Sequence, residues 1–492
     1  MNVQVSATVV GGRMSAATRE AYAWAHEALD DAARAFRSAS LGWQTAATRC
    51  IAVQQAALCC AQHLPGLGAA FDPRLHVDRC TECHTQAMQL ADECARLADL
   101  VARASGIYAQ AEQDALALAS QGIQAVTVLS PIRSTVALVS GMVVGGIVEG
   151  VRTGSSFSFT GASRATARFQ EGTIAGLGTV FAGTGTPWGS SRSRLNQGIS
   201  DMARTTGAVN DMMQGNRLTV RKVDTAAHPV PAAAGIGDAL HGLRLLGEAN
   251  ARQDDGLSYA TIAISRYERQ DGSSSWLVTI PGTDGQANSP FGWEQNLEAM
   301  SSDADQRRQA DSVRMVTEAM RQAGIGQDDP VVLVGHSQGG IVAAAIASDC
   351  TQEFHVDHVV TAGSPIAGHP ITASWVTSVE MEDELVAALD GAANPATDTW
   401  LTVRGRVTDS TAAAQDRLLA GSIVPDAVGT AEFTHNLKYH EAAWRNADDL
   451  GSPALREHDD HVRDTLAGTY QGTTYWQGRI SQGQAADAAD SP

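Results

Sequence analysis

Between residue 14 and about 120, apolar residues recur three and four positions apart. Ala21, Trp24, Ala25, Ala28, Leu29, Ala32 and Phe36 form one such stripe, the spacing of one face of an α-helix. The stretch is rich in Ala, Leu, Gln and Glu, which are good helix formers. The pattern predicts helices over roughly 15–38, 43–63 and 76–118, broken at SASLG and HLPGLGAAFDP. Helices joined by short breaks fold back to bury their stripes, so residues 1–120 are expected to form an all-α hairpin or bundle.

From about residue 217 the period changes. TVRKV, ATIAISRY, SWLVTIPG, PVVLVGHS, VDHVVTAGS, WVTSVEM and TWLTVRG read as strands, interleaved with the helical stretches SVRMVTEAMRQAG and QGGIVAAAIAS. That alternation predicts an α/β domain over 217–480, with a mostly parallel sheet covered by helices on both faces. Residues 121–216 are rich in Gly, Ser and Thr and are expected to be a connector, with a lid or a membrane-active segment as further roles. Their most apolar part, Ser134–Val148, spans 15 residues, too few to cross a hydrocarbon core of ~30 Å as a helix. Residues 481–492 are expected to be a disordered tail.

Charge narrows the partners. The 492 residues carry 35 Lys and Arg against 54 Asp and Glu, a formal net charge of −19. Nucleic-acid binding rests on cationic groups meeting phosphates, so no nucleic-acid partner is expected. Docking through a polybasic face on an anionic membrane is disfavoured for the same reason. The N-terminus lacks the basic start and apolar run of an ordinary secretory signal.

Gly335-His336-Ser337-Gln338-Gly339 is a G-x-S-x-G sequence between the apolar run PVVLV and the helical GGIVAAAIAS. A strand-to-helix turn this tight holds a serine in a strained conformation above the sheet, with glycines clearing the close strand–helix approach. The serine then stands at a helix N-terminus, where backbone N–H groups meet a developing oxyanion. Ser337 is therefore the candidate nucleophile. It needs a base to take its proton and an acid to orient that base, in the chain order Ser, acid, His.

Residues 217–445 resemble an actinobacterial α/β-hydrolase of the lipase/esterase type. The matching pieces are WLVTIPGTDG, VVLVGHSQGGIVAAAIA, HVVTAGSPIAG, SVEMEDELVAALDG, WLTVRG and THNLKYHEAA, in the family's order. The resemblance implies an acid in the loop Asp383-Glu384-Leu385-Val386-Ala387. Glu384 aligns with the family's Asp, and Asp383 stands just before it. Ala387 replaces the usual Pro, so the choice between Glu384 and Asp383 stays open, leaning to Glu384. Four histidines follow: His435, His440, His458 and His461. The family's base precedes a Tyr by four residues, as His435 precedes Tyr439, and His440 is the alternative. His458 and His461 lie in the charged run REHDDHVRD and read as an exposed helix face. One oxyanion donor is expected to be the N–H of Gln338. Pro281-Gly282-Thr283-Asp284 resembles the family's Gly-Thr turn, so Thr283 or Asp284 is the expected second donor. Trp293 and Asn296 follow in a segment that packs beside that turn. The resemblance implies no cofactor and no metal.

In the helical region, Trp43 within residues 39–47 resembles the turn of WXG-type hairpins of type VII secretion substrates, with Thr45 in place of the motif's last Gly. Tyr108 and Glu112 fit the Tyr-x-x-x-Asp/Glu export signal of such substrates. The resemblance implies a secreted or cell-envelope location, with a cytoplasmic one as alternative, and implies secretion machinery or a helical partner.

Six of the seven cysteines lie between Cys50 and Cys94. Cys80-Thr81-Glu82-Cys83-His84 matches a haem-attachment pattern, rejected for its helical setting, and offers a zinc set of Cys80, Cys83 and His84. For antiparallel helices turning near residue 70, facing positions have numbers summing to about 140. That favours Cys50–Cys94 and Cys60 with Cys80 or Cys83 as disulfides, against buried free thiols.

The expected function is a serine-dependent carboxylic ester hydrolase using Ser337, His435 and Glu384 or Asp383 on an ester or lipid substrate, with membrane contact left open. The alternatives are a secreted interaction or toxin-carrier protein with a non-catalytic hydrolase fold, and an acyltransferase using the same triad.

Overall fold

The computed structural model describes residues 2–63, 73–106, 215–382, 384, 386–389, 393–410, 421–427 and 434–482. The chain divides into two compact units, residues 14–108 and residues 1–13 with 109–492. All but the last two residues of the expected connector 121–216, with its apolar Ser134–Val148 stretch, and Tyr108, Glu112 and the tail from 483 lie outside the described residues.

Among the described residues the larger unit has ten strands: β1 (Asn2–Gly11), β2 (Arg217–Val223), β3 (Thr261–Glu268), β4 (Ser274–Ile280), β5 (Pro330–His336), β6 (His355–Ala362), β7 (Trp375–Met381), β8 (Trp400–Ser410), β9 (Ser422–Ile423) and β10 (Thr469–Ser481). Their order across the sheet is β2-β10-β3-β4-β5-β6-β7-β8-β1-β9. From β4 to β8 every neighbouring pair is parallel. The flanking pairs on both sides are antiparallel. The central strands are near-continuous apolar runs because both of their faces are covered. Val331, Val332, Leu333 and Val334 are fully buried, as are Ile262, Val278 and Val359 within the core.

Helices α4 (Trp293–Ala299), α5 (Ala304–Gln309), α6 (Asp311–Ala323) and α7 (Gln338–Asp349) pack on one another and form one layer; α3 (Ile236–Arg252), α8 (Leu437–Asp449) and α9 (Pro453–Thr465) form the other. The fold is that of an α/β-hydrolase, with the expected parallel centre.

Two strands depart from the sequence reading. Asn2–Gly11, assigned above to the helical region, pairs antiparallel with β8 along its whole length. From Val5 to Val9 burial alternates, with Val5, Ala7 and Val9 buried and Ser6 and Thr8 partly exposed, the period-2 pattern of a strand. Thr469–Ser481 pairs with both β2 and β3. Each strand finds its partner hundreds of residues away, so no neighbouring turn announces it.

The smaller unit contains α1 (Ala16–His63) and α2 (Pro73–Ser105), which pack as a hairpin. The break expected at residues 39–47 is absent: α1 runs through it, and Trp43 sits within a helix and not in a WXG-type turn. One glycine, Gly42, costs a helix only ~1 kcal/mol relative to Ala, which packing of the seam outweighs. That seam is made of small residues, with Ala33, Ser40, Ala47, Ala87, Ala91 and Ala98 buried. Trp24, expected to face inward, is 72% exposed.

The seam also fixes a register other than the one expected. Ser40 Oγ meets His84 Nδ1 at 2.8 Å and His26 Nδ1 lies 3.1 Å from Ala98 O. Both pairs have numbers summing to 124, not 140. Cys94 therefore falls far along the helix from Cys50, which lies instead beside Cys80. Cys50, Cys80, Cys83, Cys94 and Cys350 are free thiols, and the Cys60 side chain lies outside the described residues. His84 turns Nδ1 to Ser40, and the ligand atoms of Cys80, Cys83 and His84 do not gather within 4.8 Å of one another, so the zinc set proposed for them is not assembled. Among the described residues no helix is long and apolar enough to cross a membrane.

Candidate active site

β5 ends at His336 and α7 begins at Gln338, so Ser337 alone makes the turn. Its backbone sits at φ 53°, ψ −119°, a conformation that costs a residue with a Cβ about 1–3 kcal/mol and persists where the surroundings enforce it. They do so here. A Cβ on Gly335 would collide with the Gly339 backbone, and one on Gly339 with the carbonyls of Ile280 and Pro281. The Ser337 N–H donates to Ala362 O at 2.9 Å, which ties the turn to the end of β6.

The loop after β4 reaches this turn, since a Cβ on Gly282 would stand 3.2 Å from Ser337 Cβ. Gln338 is the first residue of α7, where N–H groups lack an intrahelical acceptor. Its side chain is buried and donates from Nε2 to Gly292 O at 3.1 Å. Of the two candidates after β4, the Asp284 N–H already donates to Phe291 O at 3.2 Å. The Asp284 carboxylate accepts from Ala260 N, Gln286 N and Ser289 Oγ, so it is a loop-holding residue. Thr283 is left as the donor candidate, and its Oγ1 accepts from Asn296 Nδ2 at 3.3 Å. Among the described residues neither the Gln338 nor the Thr283 N–H has a protein acceptor. The Trp293 side chain lies outside the described residues.

Glu384 and His435 come together. The His435 Nδ1–H donates to Glu384 Oε2 at 2.8 Å, which leaves Nε2 with the lone pair a general base needs. Glu384 is fully buried while His435 keeps 16% of its side chain exposed. Asp383 lies outside the described residues. The other carboxylate oxygen, Oε1, is 3.3 Å from His440 Nε2 and accepts the Met381 N–H at 3.3 Å. His440, considered above as an alternative base, stands on the far side of the acid.

Gly363, directly after β6, lies under this group at φ 59°. A Cβ there would stand 2.9 Å from His435 Nδ1, 2.9 Å from His440 Nε2 and 3.0 Å from Glu384 Oε1. The end of β6 thus carries both the tie to Ser337 and the floor of the acid–base group. His336, the variable residue of G-x-S-x-G, donates from Nε2 to His435 O at 2.9 Å, with the two rings 4.6 Å apart. Nothing in the local sequence marks His336 or Gly363 for these roles.

The electrostatics are shaped by burial. Burial alone would raise the Glu384 carboxyl, but His440 and His435 beside it overturn that and hold it at about 2. Burial, reinforced by His435 and His440, lowers His336 to about 3, so it donates as a neutral ring. Atoms of Glu384, His435 and His440 lie within 4.8 Å of one another, a donor set of the kind divalent ions use. Their hydrogen bonds account for that closeness, since both carboxylate oxygens already receive an imidazole N–H.

His458 and His461 differ from their expected setting. His458 is fully buried, with Nδ1 3.0 Å from Thr377 Oγ1, and His461 Nδ1 is 3.1 Å from the buried His358. Trp375 stacks on His461. Helix α9 therefore turns these histidines toward the sheet, where they brace the fold away from the serine.

Residues 294–451 match the family model of the PGAP1-like alpha/beta domain. The match covers well under half of the chain and includes Ser337, Glu384, His435 and His440 but not Thr283. The family is an α/β-hydrolase-type family of serine esterases, which supports a hydrolase-type domain here. No curated protein and no solved structure matches the chain.

Proposed function

We propose that the protein is a serine-dependent carboxylic ester hydrolase whose triad is Ser337, His435 and Glu384. The observation that carries this reading is the 2.8 Å bond committing His435 Nδ1 to the buried Glu384, taken with a serine in the strained strand-to-helix turn of a G-x-S-x-G sequence. In the reaction Ser337 Oγ attacks the acyl carbonyl while His435 Nε2 takes its proton. The N–H groups of Gln338 and Thr283 receive the oxyanion of the tetrahedral intermediate. His435 then gives its proton to the leaving alcohol, and water, deprotonated by the same imidazole, releases the acid. Glu384 stays ionised throughout and favours the imidazolium that forms between the two transfers.

A fluorophosphonate probe tests the proposal. The full chain should become covalently labelled, and Ser337→Ala should lose the label while keeping its thermal unfolding midpoint. An intact, folded protein that takes up no label would sink the hydrolase reading and favour a non-catalytic hydrolase fold.

A further inference from the structure

The acid of the candidate triad is held from both sides. His435 uses only Oε2 of Glu384. The other oxygen faces a second imidazole that takes no part in the proposed proton transfers. His440 lies in the first turn of α8 and is fully buried. Its Nε2 stands 3.3 Å from Glu384 Oε1, and its Nδ1 is 3.3 Å from the carbonyl of Asn436, one turn back. Both ring nitrogens therefore face oxygen acceptors, and the nitrogen facing the carboxylate can only bond to it as a donor.

Two further observations show that this placement is built into the fold. The missing side chain of Gly363 opens the space in which the three groups meet, since a Cβ would stand about equally close to His435 Nδ1, His440 Nε2 and Glu384 Oε1. The Met381 N–H shares Oε1 with His440, so that oxygen has two donors and a fixed direction. A carboxylate buried with a single partner would pay for its lost hydration and tend to neutralise. With donors on both oxygens, Glu384 is held below the ordinary carboxylate range.

We infer that His440 is a positioning residue: by donating Nε2–H to Glu384 Oε1 it shares the carboxylate's charge and keeps it aimed at His435 Nδ1. The inference rests on the serine-hydrolase reading and extends it to a residue that touches neither substrate nor the reacting atoms. His440 acts on the base through the acid. Removing its donor frees more of the carboxylate's charge for His435, so the imidazole holds its proton to higher pH. It also frees the carboxylate to turn, so the base is aimed less often.

The test compares His440→Leu, which fills the site without a donor, with His440→Gln, whose amide can still donate. The readout is the rate of fluorophosphonate labelling of the full chain across pH. A hydrogen bond to a charged group is worth enough that His440→Leu should lose roughly ten- to a hundredfold in labelling rate. Its half-maximal pH should also move upward. His440→Gln should stay much closer to the parent in both. Equal losses in the two variants, or a His440→Leu protein with the parent's rate and profile, would overturn the inference. A second readout needs no variant: in protein labelled with ¹⁵N-histidine, His440 Nε2 should carry a proton, and an unprotonated Nε2 would overturn the inference even if His440→Leu did not fold. Failure of the parent protein to label is a separate outcome, which overturns the hydrolase reading itself.

Discussion

At the scale of single residues, the site depends on positions where a side chain would be in the way. Gly363 combines φ 59° with a virtual Cβ about 3 Å from three functional atoms. Gly363→Ala therefore meets two costs, a left-handed backbone and a steric push on Glu384, His435 and His440. The backbone cost alone is of order 1–3 kcal/mol. The variant should unfold at lower temperature in a calorimetric scan and should label with fluorophosphonate at least tenfold more slowly, because a displaced base misses the serine proton. A variant that labels at the parent rate would show that the acid–base group tolerates displacement. The strained turn at Ser337 was legible in the sequence because the serine and the glycines that clear its turn share one short motif. Glu384 was not fully legible, because Asp383 beside it satisfies the same composition. What separates candidates of this kind is burial and partnership, as with Glu384 and the two imidazoles on its opposite oxygens.

At the scale of elements, the strand–turn–helix unit around Ser337 was read correctly because each of its signals is local: an apolar run, a glycine-cleared turn, a small-residue helix start. The same local logic misplaced the break in α1. Residues 39–47 include helix-weakening types, yet the chain continues as one helix to His63. The decisive contact is across the hairpin, where Ser40 meets His84. Because a Cβ at Gly42 would meet nothing within 4 Å, the glycine has no packing role to defend. Gly42→Ala should therefore stabilise the hairpin by about 0.5–1 kcal/mol, the usual gain in an exposed helix interior. Chemical denaturation followed by circular dichroism would measure it, and a loss of stability would mean that the segment needs a glycine for some other reason. The cysteine pairing failed for a related cause. It assumed a helix register from the loop position, whereas the alanine seam sets the register. The hairpin accordingly brings Cys80, not Cys94, to Cys50.

At the scale of the whole molecule, the sheet buries several histidines in neutral form. Burial lowers His336 to about 3, His369 to about 4 and His458 to about 3, and lowers His358 well below its ordinary value. Between those values and the ordinary 6.5, the unfolded chain binds the proton and the folded one does not. Stability must therefore fall as pH drops from about 6.5 toward 3. Glu384 acts in the same direction further down: the stability it adds above its ordinary 4.5 is lost as pH falls from there toward about 2. The thermal midpoint should thus decline from pH 7 to pH 5. His458→Gln, which keeps a group able to bond Thr377 but cannot titrate there, should lessen that slope by up to about 1.4 kcal/mol per pH unit. An unchanged slope would mean that His458 takes up its proton without unfolding. The sequence by itself determined the strand–turn–helix unit around Ser337, the parallel centre of the sheet and the region of the candidate acid and base. Those follow from local periodicity and from glycine spacing within a few residues of the chemistry. Only the tertiary structure decided that the first strand closes against β8, that α1 runs unbroken, and that Glu384 lies between two histidines. Each of these depends on which distant residues share a buried contact, and pairing across hundreds of residues leaves no period in the chain to read.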